Sequence, residues 1–492
     1  GDIIGVAIDF DNGKIFFGQD GGSGSRSMNW NISSTGTGVP ADGTNPALTF
    51  TAGDLYVPAF SISSIGATTF TVNFGQDSSF AGALTAQNNA DGNGYGDFYY
   101  TPPTGYVALS SANAETDTGI DPGETDDDYP KKLFAAVKYT GNSTSGVEIT
   151  PGDGFRADIV WSKRTSTTTR QTIMNTSTIM GGVNGSSNQT KYLHPSNNVS
   201  EGGPSTDLVR TIGATSYTIG DGTYINDSGT YCNWVWRVNG GTTSSETAGS
   251  INTTVQVNQT AGVSIIQYVG DGGTSDFTLA HGLGKKPQMF WFKDRDTNGN
   301  NNSWSAFHTS MQSEYYMYLN SDDPEQSSGN GSWKSVSDTL ITMARTSSTG
   351  GGQTVSESGD NYVVYAWANI PGFSRFGKYM GNGEGTTGDG NFVYCGFQPA
   401  MIIVKKISGA NNWRQMDNAR DTRNSAYHMN VPNSEAAESA LTDGTDYVDF
   451  LSNGFVVGVG GDATNWNADG ATYVFGAWAN NPLKYATGGI KG

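Results

Sequence analysis

A run of the form Tyr-x-x-x-x-Trp recurs three times in this 492-residue chain, and it constrains the fold more than any other feature. It spans Tyr231 to Trp236, Tyr362 to Trp367 and Tyr473 to Trp478. Ahead of each copy lies a second mark: Tyr139-Thr140-Gly141, Tyr268-Val269-Gly270 and Tyr379-Met380-Gly381. The two marks are separated by 92, 94 and 94 residues. Chance does not hold a spacing that closely three times, so one unit of roughly 110 residues is used three times over.

What kind of unit follows from the residues between the marks. Short alternating apolar runs are punctuated by Gly, Asn, Asp and Ser clusters. The chain is rich in Gly (68), Tyr (23), Phe (22) and Trp (11). Aromatic residues suit a pleated, half-buried surface, and glycine supplies tight turns. The pattern predicts an all-β chain of tandem β-sandwich domains. The aromatic content excludes a disordered chain. A net charge of −19 repels phosphate backbones, so nucleic acid is excluded as a principal partner. No apolar run approaches the ~20 residues that span a bilayer, so no membrane segment is expected. Cys232 and Cys395 occupy non-equivalent places in their repeats, one in a closing strand and one in an opening strand. That argues against an intradomain disulfide and for two free, buried thiols.

Residues 1–110 form a different segment. Val6, Ile8 and Phe10 alternate on one face, Asp11, Asn12 and Gly13 make a turn, and Ile15 and Phe17 return. Strands are also expected at 55–59 and 70–75. The hairpin at 1–17, together with a turn at Tyr100–Tyr106 and a Gly/Ala/Asn-rich insert at 78–99, resembles part of a SPRY domain of the kind found in phage-encoded proteins. A SPRY sandwich has strands ahead of this hairpin. The resemblance therefore implies a partial sandwich, with residues missing before Gly1 or another segment covering the open sheet edge.

An acidic run from Glu115 to Asp128 reads as a linker at 111–132, because like charges among Gly and Pro resist packing. The repeats then occupy 133–241, 260–370 and 371–492, with a Ser/Thr/Asn-rich linker at 242–259. Each repeat carries an apolar run ending in lysine: Ala157 to Lys163, Gln288 to Lys293, and Met401 to Lys406. The expectation is a buried strand emerging into solvent at its lysine. The stretch from Thr260 to Tyr268, with His281 to Pro287, resembles a repeat domain common in structural proteins of tailed phages. The third repeat matches it most fully, through Trp413 to Arg420, Leu451 to Phe455 and Tyr473 to Trp478. The two resemblances imply a partial SPRY-like sandwich followed by three related jelly-roll-like sandwiches.

Candidate chemistry is sparse. Asp294, Asp296, Asn298 and Gly299 match the opening of an EF-hand loop, but its twelfth position is Ser305 where a bidentate Glu is needed, and turn preference explains the same residues. Asp9 to Gly13 is accounted for by the hairpin. His194, His281, His308 and His428 share no metal-ligand spacing. No nucleophile elbow, Walker loop or dinucleotide fingerprint stands in its required context. No catalytic, cofactor-binding or metal residue is assigned, no cofactor is expected, and the chain is not expected to be an enzyme. Trp236, Trp367 and Trp478 read as anchors of the sandwich cores and not as sugar platforms. Contacts to a receptor are expected from the loops 181–203, 321–332 and 424–439.

The resemblances imply a virion structural protein of a tailed phage: a tail fibre or appendage that displays loops for receptor binding, or a capsid decoration or fibre. Implied partners are other virion proteins, copies of the same chain in a homo-oligomer, and a host-surface glycan or protein. A secreted or cell-surface lectin-like adhesin is the reading from outside that class.

Overall fold

The computed structural model describes residues 3–20, 28–30, 36–50, 71–109, 113, 130–169, 171–175, 190–296, 303–328, 331–345, 355–383, 390–440, 446–459 and 466–479. The strand expected at 55–59 and the acidic run 115–128 lie outside these residues. The chain divides into two compact units, Gly1–Asp121 and Pro122–Gly492. The described structure is nearly all β, as the alternation of apolar and polar residues requires.

In the first unit the strands Ile4–Asp9 and Lys14–Asp20 pair antiparallel, with Asp9 opposite Lys14. Gly13, at φ 62°, closes the turn, and the Asp9 carboxylate accepts both the backbone N–H and the side-chain amide of Asn12. The expected hairpin therefore forms. Its buried side is the face of Ala7 and Phe16, while Val6 and Phe10 stand about half exposed. The strand expected at 70–75 is not one over its described part, 71–75. There the Asn73 side-chain Oδ1 accepts from the backbone N–H groups of Gly75, Gln76 and Asp77, and a side chain that serves as the local acceptor curls the backbone away from an extended ladder.

In the second unit the three repeats share one strand order. An opening strand (Phe134–Thr140, Val263–Val269, Ser374–Met380) pairs with a closing strand (Thr230–Trp236, Asn361–Ala368, Thr472–Ala479). The closing strand pairs with a lysine strand (Ile159–Arg164, Pro287–Asp294, Pro399–Lys406), and the lysine strand with a fourth strand (Thr172–Asn175, Ser305–His308, Arg414–Asp417), beyond which the first two sheets continue. A separate three-stranded sheet covers one face of each large sheet. The stretch 242–259, expected to be a linker, instead carries strands Ser244–Glu246 and Thr253–Asn258, which extend the second repeat's large sheet beyond its opening strand. Its Thr253, Val255 and Val257 are β-branched, which suits a strand paired on both sides, here by Ser244–Glu246 and Val263–Val269.

The two sequence marks prove to be halves of one local structure. Tyr139 stacks on Tyr231, Tyr268 on Tyr362 and Tyr379 on Tyr473, with ring centroids 5.3, 5.0 and 5.0 Å apart. The hydroxyls of Tyr139, Tyr268 and Tyr379 donate to the carbonyls of Ile225, Val355 and Trp466. The hydroxyls of the partner tyrosines accept the N–H groups of Asp227, Glu357 and Ala468. The glycine of each mark lies where a Cβ would overlap one of those same three residues' carbonyls. The fixed spacing of about 90 residues is thus the length of chain needed to bring a tyrosine and a glycine back to the loop that precedes the closing strand.

Five residues is an odd number, so in a strand the Tyr and Trp of each closing run point to opposite faces. Tyr362, Val364 and Ala366 pack into the second repeat's own sandwich core; Val363, Tyr365 and Trp367 do not. They join a different core, built from all three repeats. The same alternation holds at Phe475 and Ala477 against Val474 and Trp478. The expectation that these tryptophans anchor their own sandwiches is therefore corrected. They are buried, at 2%, 3% and 1% exposure for Trp236, Trp367 and Trp478, but against one another. Their centroids form a triangle with sides of 6.3, 5.7 and 6.0 Å. The three sandwiches close around this triangle as a pseudo-threefold ring.

Candidate functional site

The repeated feature of this chain is the seam between neighbouring sandwiches, and equivalent residues build it in cyclic order. The residue just before each fourth strand is Gln171, Trp304 or Trp413. Gln171 donates its side-chain amide to the carbonyls of Val431, Pro432 and Ser434 in the third repeat. The Trp304 indole donates to His194 O in the first repeat at 2.8 Å, and the Trp413 indole to Tyr318 O in the second at 2.7 Å. First grips third, third grips second, second grips first. A heterologous contact whose rotation closes makes a ring, and here it closes within one chain.

The lysines of two of the lysine strands follow the same order. Lys163, Lys293 and Lys405 are all fully buried, which corrects the expectation that they emerge into solvent. Each lies opposite a residue of the shared core, namely Cys232, Val363 and Val474. Lys163 reaches Glu435 O across one seam at 2.9 Å, and Lys405 reaches Asp322 O across another at 3.3 Å. Lys293 donates to Asp294 O. Burial pulls all three ammonium groups down to a pKa of about 8. A buried ammonium is tolerated only with its donors paired; loop carbonyls across the seam do that for Lys163 and Lys405, and the strand's own Asp294 carbonyl for Lys293.

The loops 181–203, 321–332 and 424–439, expected to meet a receptor, are in their described parts the gripped loops of this ring. Asp322 O also accepts Asn411 N, and Glu435 O accepts Thr169 N. Glu201 pairs with Arg295 of the second repeat at 2.6 Å, and its backbone N–H donates to Arg295 O. In each of these loops some polar groups are thus committed to the adjacent sandwich. At the seam of first and third repeats, Arg420 and Asp417 form a buried ion pair at 2.7 Å. Asp417 also accepts the Trp234 indole N–H at 3.1 Å and lies beside Cys232. Both cysteines are free and buried, and burial raises both thiols well above the ordinary range.

The histidines are scattered. His194 Nδ1 bonds Gln171 O, His281 bonds Ser337 O, His308 Nε2 bonds Phe475 O of the third repeat, and His428 pairs with Asp421. No described histidine joins a metal-ligating group. In the EF-hand-like stretch, Asp294 and Asp296 part company: Asp296 accepts the backbone and side-chain N–H of Asn361. Residues 297–302 of that stretch lie outside the described residues. A surface depression of about 430 Å³ is lined by Ile251, Asn252, Thr254, Gln267, Tyr268 and Val269, a set without an acid–base pair. No helix among the described residues is long and apolar enough to cross a membrane.

Sequence reasoning missed the seam, although a signal for it was present. The closing strands and lysine strands are apolar at nearly every position, and a sandwich strand with one covered face would alternate. A continuous apolar run marks a strand covered on both faces. The second cover here is the neighbouring repeat.

Fold and seam together define a closed, internally threefold all-β scaffold. The match of residues 129–482 to the family described as Domain of unknown function (DUF7483) spans more than half of the chain, which therefore belongs to that family. No curated protein and no solved structure matches it.

Proposed function

We propose that this chain is a virion structural protein of a tailed phage, part of a tail fibre or similar appendage, and that its work is to hold and space binding surfaces without catalysing a reaction. One observation carries the reading: three copies of one sandwich close around a shared aromatic core, and their conspicuous polar side chains are spent on each other. Such a body is rigid and presents three related outer surfaces, and repetition raises avidity through effective concentration. The SPRY-like hairpin and the phage-type repeat marks support the same class. Other virion proteins and a host-surface glycan or protein are the partners this reading requires. The outer loops, away from the seams, are the surfaces left to meet them.

The internal threefold geometry also favours a second placement, on the capsid as decoration, where a threefold body matches a threefold lattice position. Electron microscopy of particles carrying a label on this chain distinguishes the two. Label on the tail supports the appendage, and label over the capsid lattice supports decoration. A chain found in no particle would overturn both and favour a cell-surface adhesin.

A further inference from the structure

The internal threefold provides its own control for a carboxylate cluster in the second repeat. On each closing strand, the first Tyr faces the last residue of the lysine strand: Arg164 opposite Tyr231, Asp294 opposite Tyr362, and Lys406 opposite Tyr473. The loop residue whose N–H meets that tyrosine's hydroxyl is Asp227, Glu357 or Ala468. In the first repeat, Arg164 and Asp227 neutralise each other at 2.6 Å. In the third, the corresponding residues are Lys406 and Ala468, with no acid between them. In the second, the place of the base is taken by an acid, and carboxylate oxygens of Asp294, Glu357 and Asp360 lie within 4.8 Å of one another.

Asp294 is 2% exposed. Its Oδ1 accepts Asp296 N at 2.8 Å, but its Oδ2 is buried without a hydrogen-bond partner. An orphaned buried carboxylate oxygen is costly unless something positive meets it. The nearby Lys293 charge offsets only part of that cost. Lys293 turns its ammonium to the Asp294 backbone carbonyl, and Asp296 adds a further negative charge beside the cluster. With the site empty, burial and the neighbouring carboxylates raise Asp294 to about 6 and also raise Glu357.

We propose that Asp294, Glu357 and Asp360 hold a hard divalent cation, calcium by its size, in the position that the Arg164 guanidinium occupies in the first repeat. Calcium takes carboxylate oxygens at roughly 2.3–2.6 Å, so two ligands of one ion can stand about 5 Å apart, whereas magnesium at about 2.1 Å draws them closer. The 4.8 Å spread suits the larger ion, and water completes its shell. The ion ties the end of the lysine strand to the loop before the closing strand, as the Arg164–Asp227 pair does one repeat earlier. This inference does not depend on where the protein resides.

The test is calorimetric titration of the full chain with calcium chloride, alongside Asp294→Asn, Glu357→Gln and, as control, Asp227→Asn. One saturable site per chain is expected, with a dissociation constant on the order of 10⁻⁵ to 10⁻³ M. Asp294→Asn and Glu357→Gln should each weaken it at least about tenfold, which is ~1.4 kcal/mol, and Asp227→Asn should leave it intact. If Asp294→Asn does not fold, Glu357→Gln at the half-buried rim carries the same comparison. Absence of saturable binding up to about 10 mM calcium, beyond the weakest class of protein calcium sites, overturns the proposal. So does binding that survives both variants unchanged.

Discussion

Replacing Trp478 with alanine tests whether the three sandwiches are one body. Trp478 is 1% exposed and meets Phe134 and Trp236 of the first repeat, Trp367 of the second, and Phe376 of its own, with centroids 5.3–6.2 Å away. Truncating a buried Trp to Ala costs about 3–5 kcal/mol, and four aromatic contacts worth about 0.5–1.5 kcal/mol each place this residue at the upper end. The midpoint shift then depends on how much of the chain unfolds with it. If the ring unfolds as a unit of roughly 350 residues, its unfolding entropy is about 0.7 kcal/mol/K and the midpoint falls by about 6–7 °C. If each repeat of roughly 110 residues unfolds alone, the third drops by about 20 °C while the others stay in place. Differential scanning calorimetry of the full chain separates the two. Hydrogen exchange at Phe134–Thr140 and Val263–Val269 shows whether loss of a third-repeat side chain loosens strands of the other two. A new low-temperature transition carrying a third of the enthalpy, with exchange in the first two repeats unchanged, would refute the shared core.

Two further perturbations follow from the same geometry. His308 is buried and neutral, its Nε2–H donated to Phe475 O and its Nδ1 accepting Ser310 N, and burial lowers its pKa to about 4. A base whose folded pKa is depressed contributes stability above its unfolded pKa of about 6.5 that is lost as pH falls towards 4. His308→Gln should therefore gain on the parent by about 2–3 kcal/mol between pH 7 and 4.5. Urea midpoints at each pH read this out, and parallel curves for the two proteins would count against it. Gly381→Ala would push a Cβ into the Ala468 carbonyl. It should cost at least about 1–3 kcal/mol by overpacking, whereas Gly470→Ala, with open space around the added methyl, pays only its left-handed φ, about 1 kcal/mol. Equal melting points for the two variants would show that the Tyr–Gly mark is not a packing constraint.

Much of the fold could be read from the sequence because it is written in local chemistry and in repetition. The spacing of the Tyr–Gly and Tyr–Trp marks identifies three copies, since a stacked tyrosine pair and a glycine pressed against a carbonyl leave few other residues acceptable there. Aromatic and β-branched runs between turn residues identify the strands, and Asp9 to Gly13 identifies a hairpin. The segment 242–259 differs from the expected linker because its Ser, Thr and Asn content suits a loop as well as a strand, and only pairing with Val263–Val269 decides between them.

What the sequence alone determined is the repeated unit. What the tertiary structure decided is the use of each unit's second face. A strand's sequence records that both its faces are apolar, but not which partner covers which face, because burial carries no address. Closure of the ring supplied that address. It turned Trp236, Trp367 and Trp478 from sandwich anchors into a shared core, drew Lys163, Lys293 and Lys405 out of water, and committed polar groups of the loops after the fourth strands to their neighbours. The same closure makes the repeats comparable position by position, which is how an acid standing where a related repeat has an arginine becomes visible as a site.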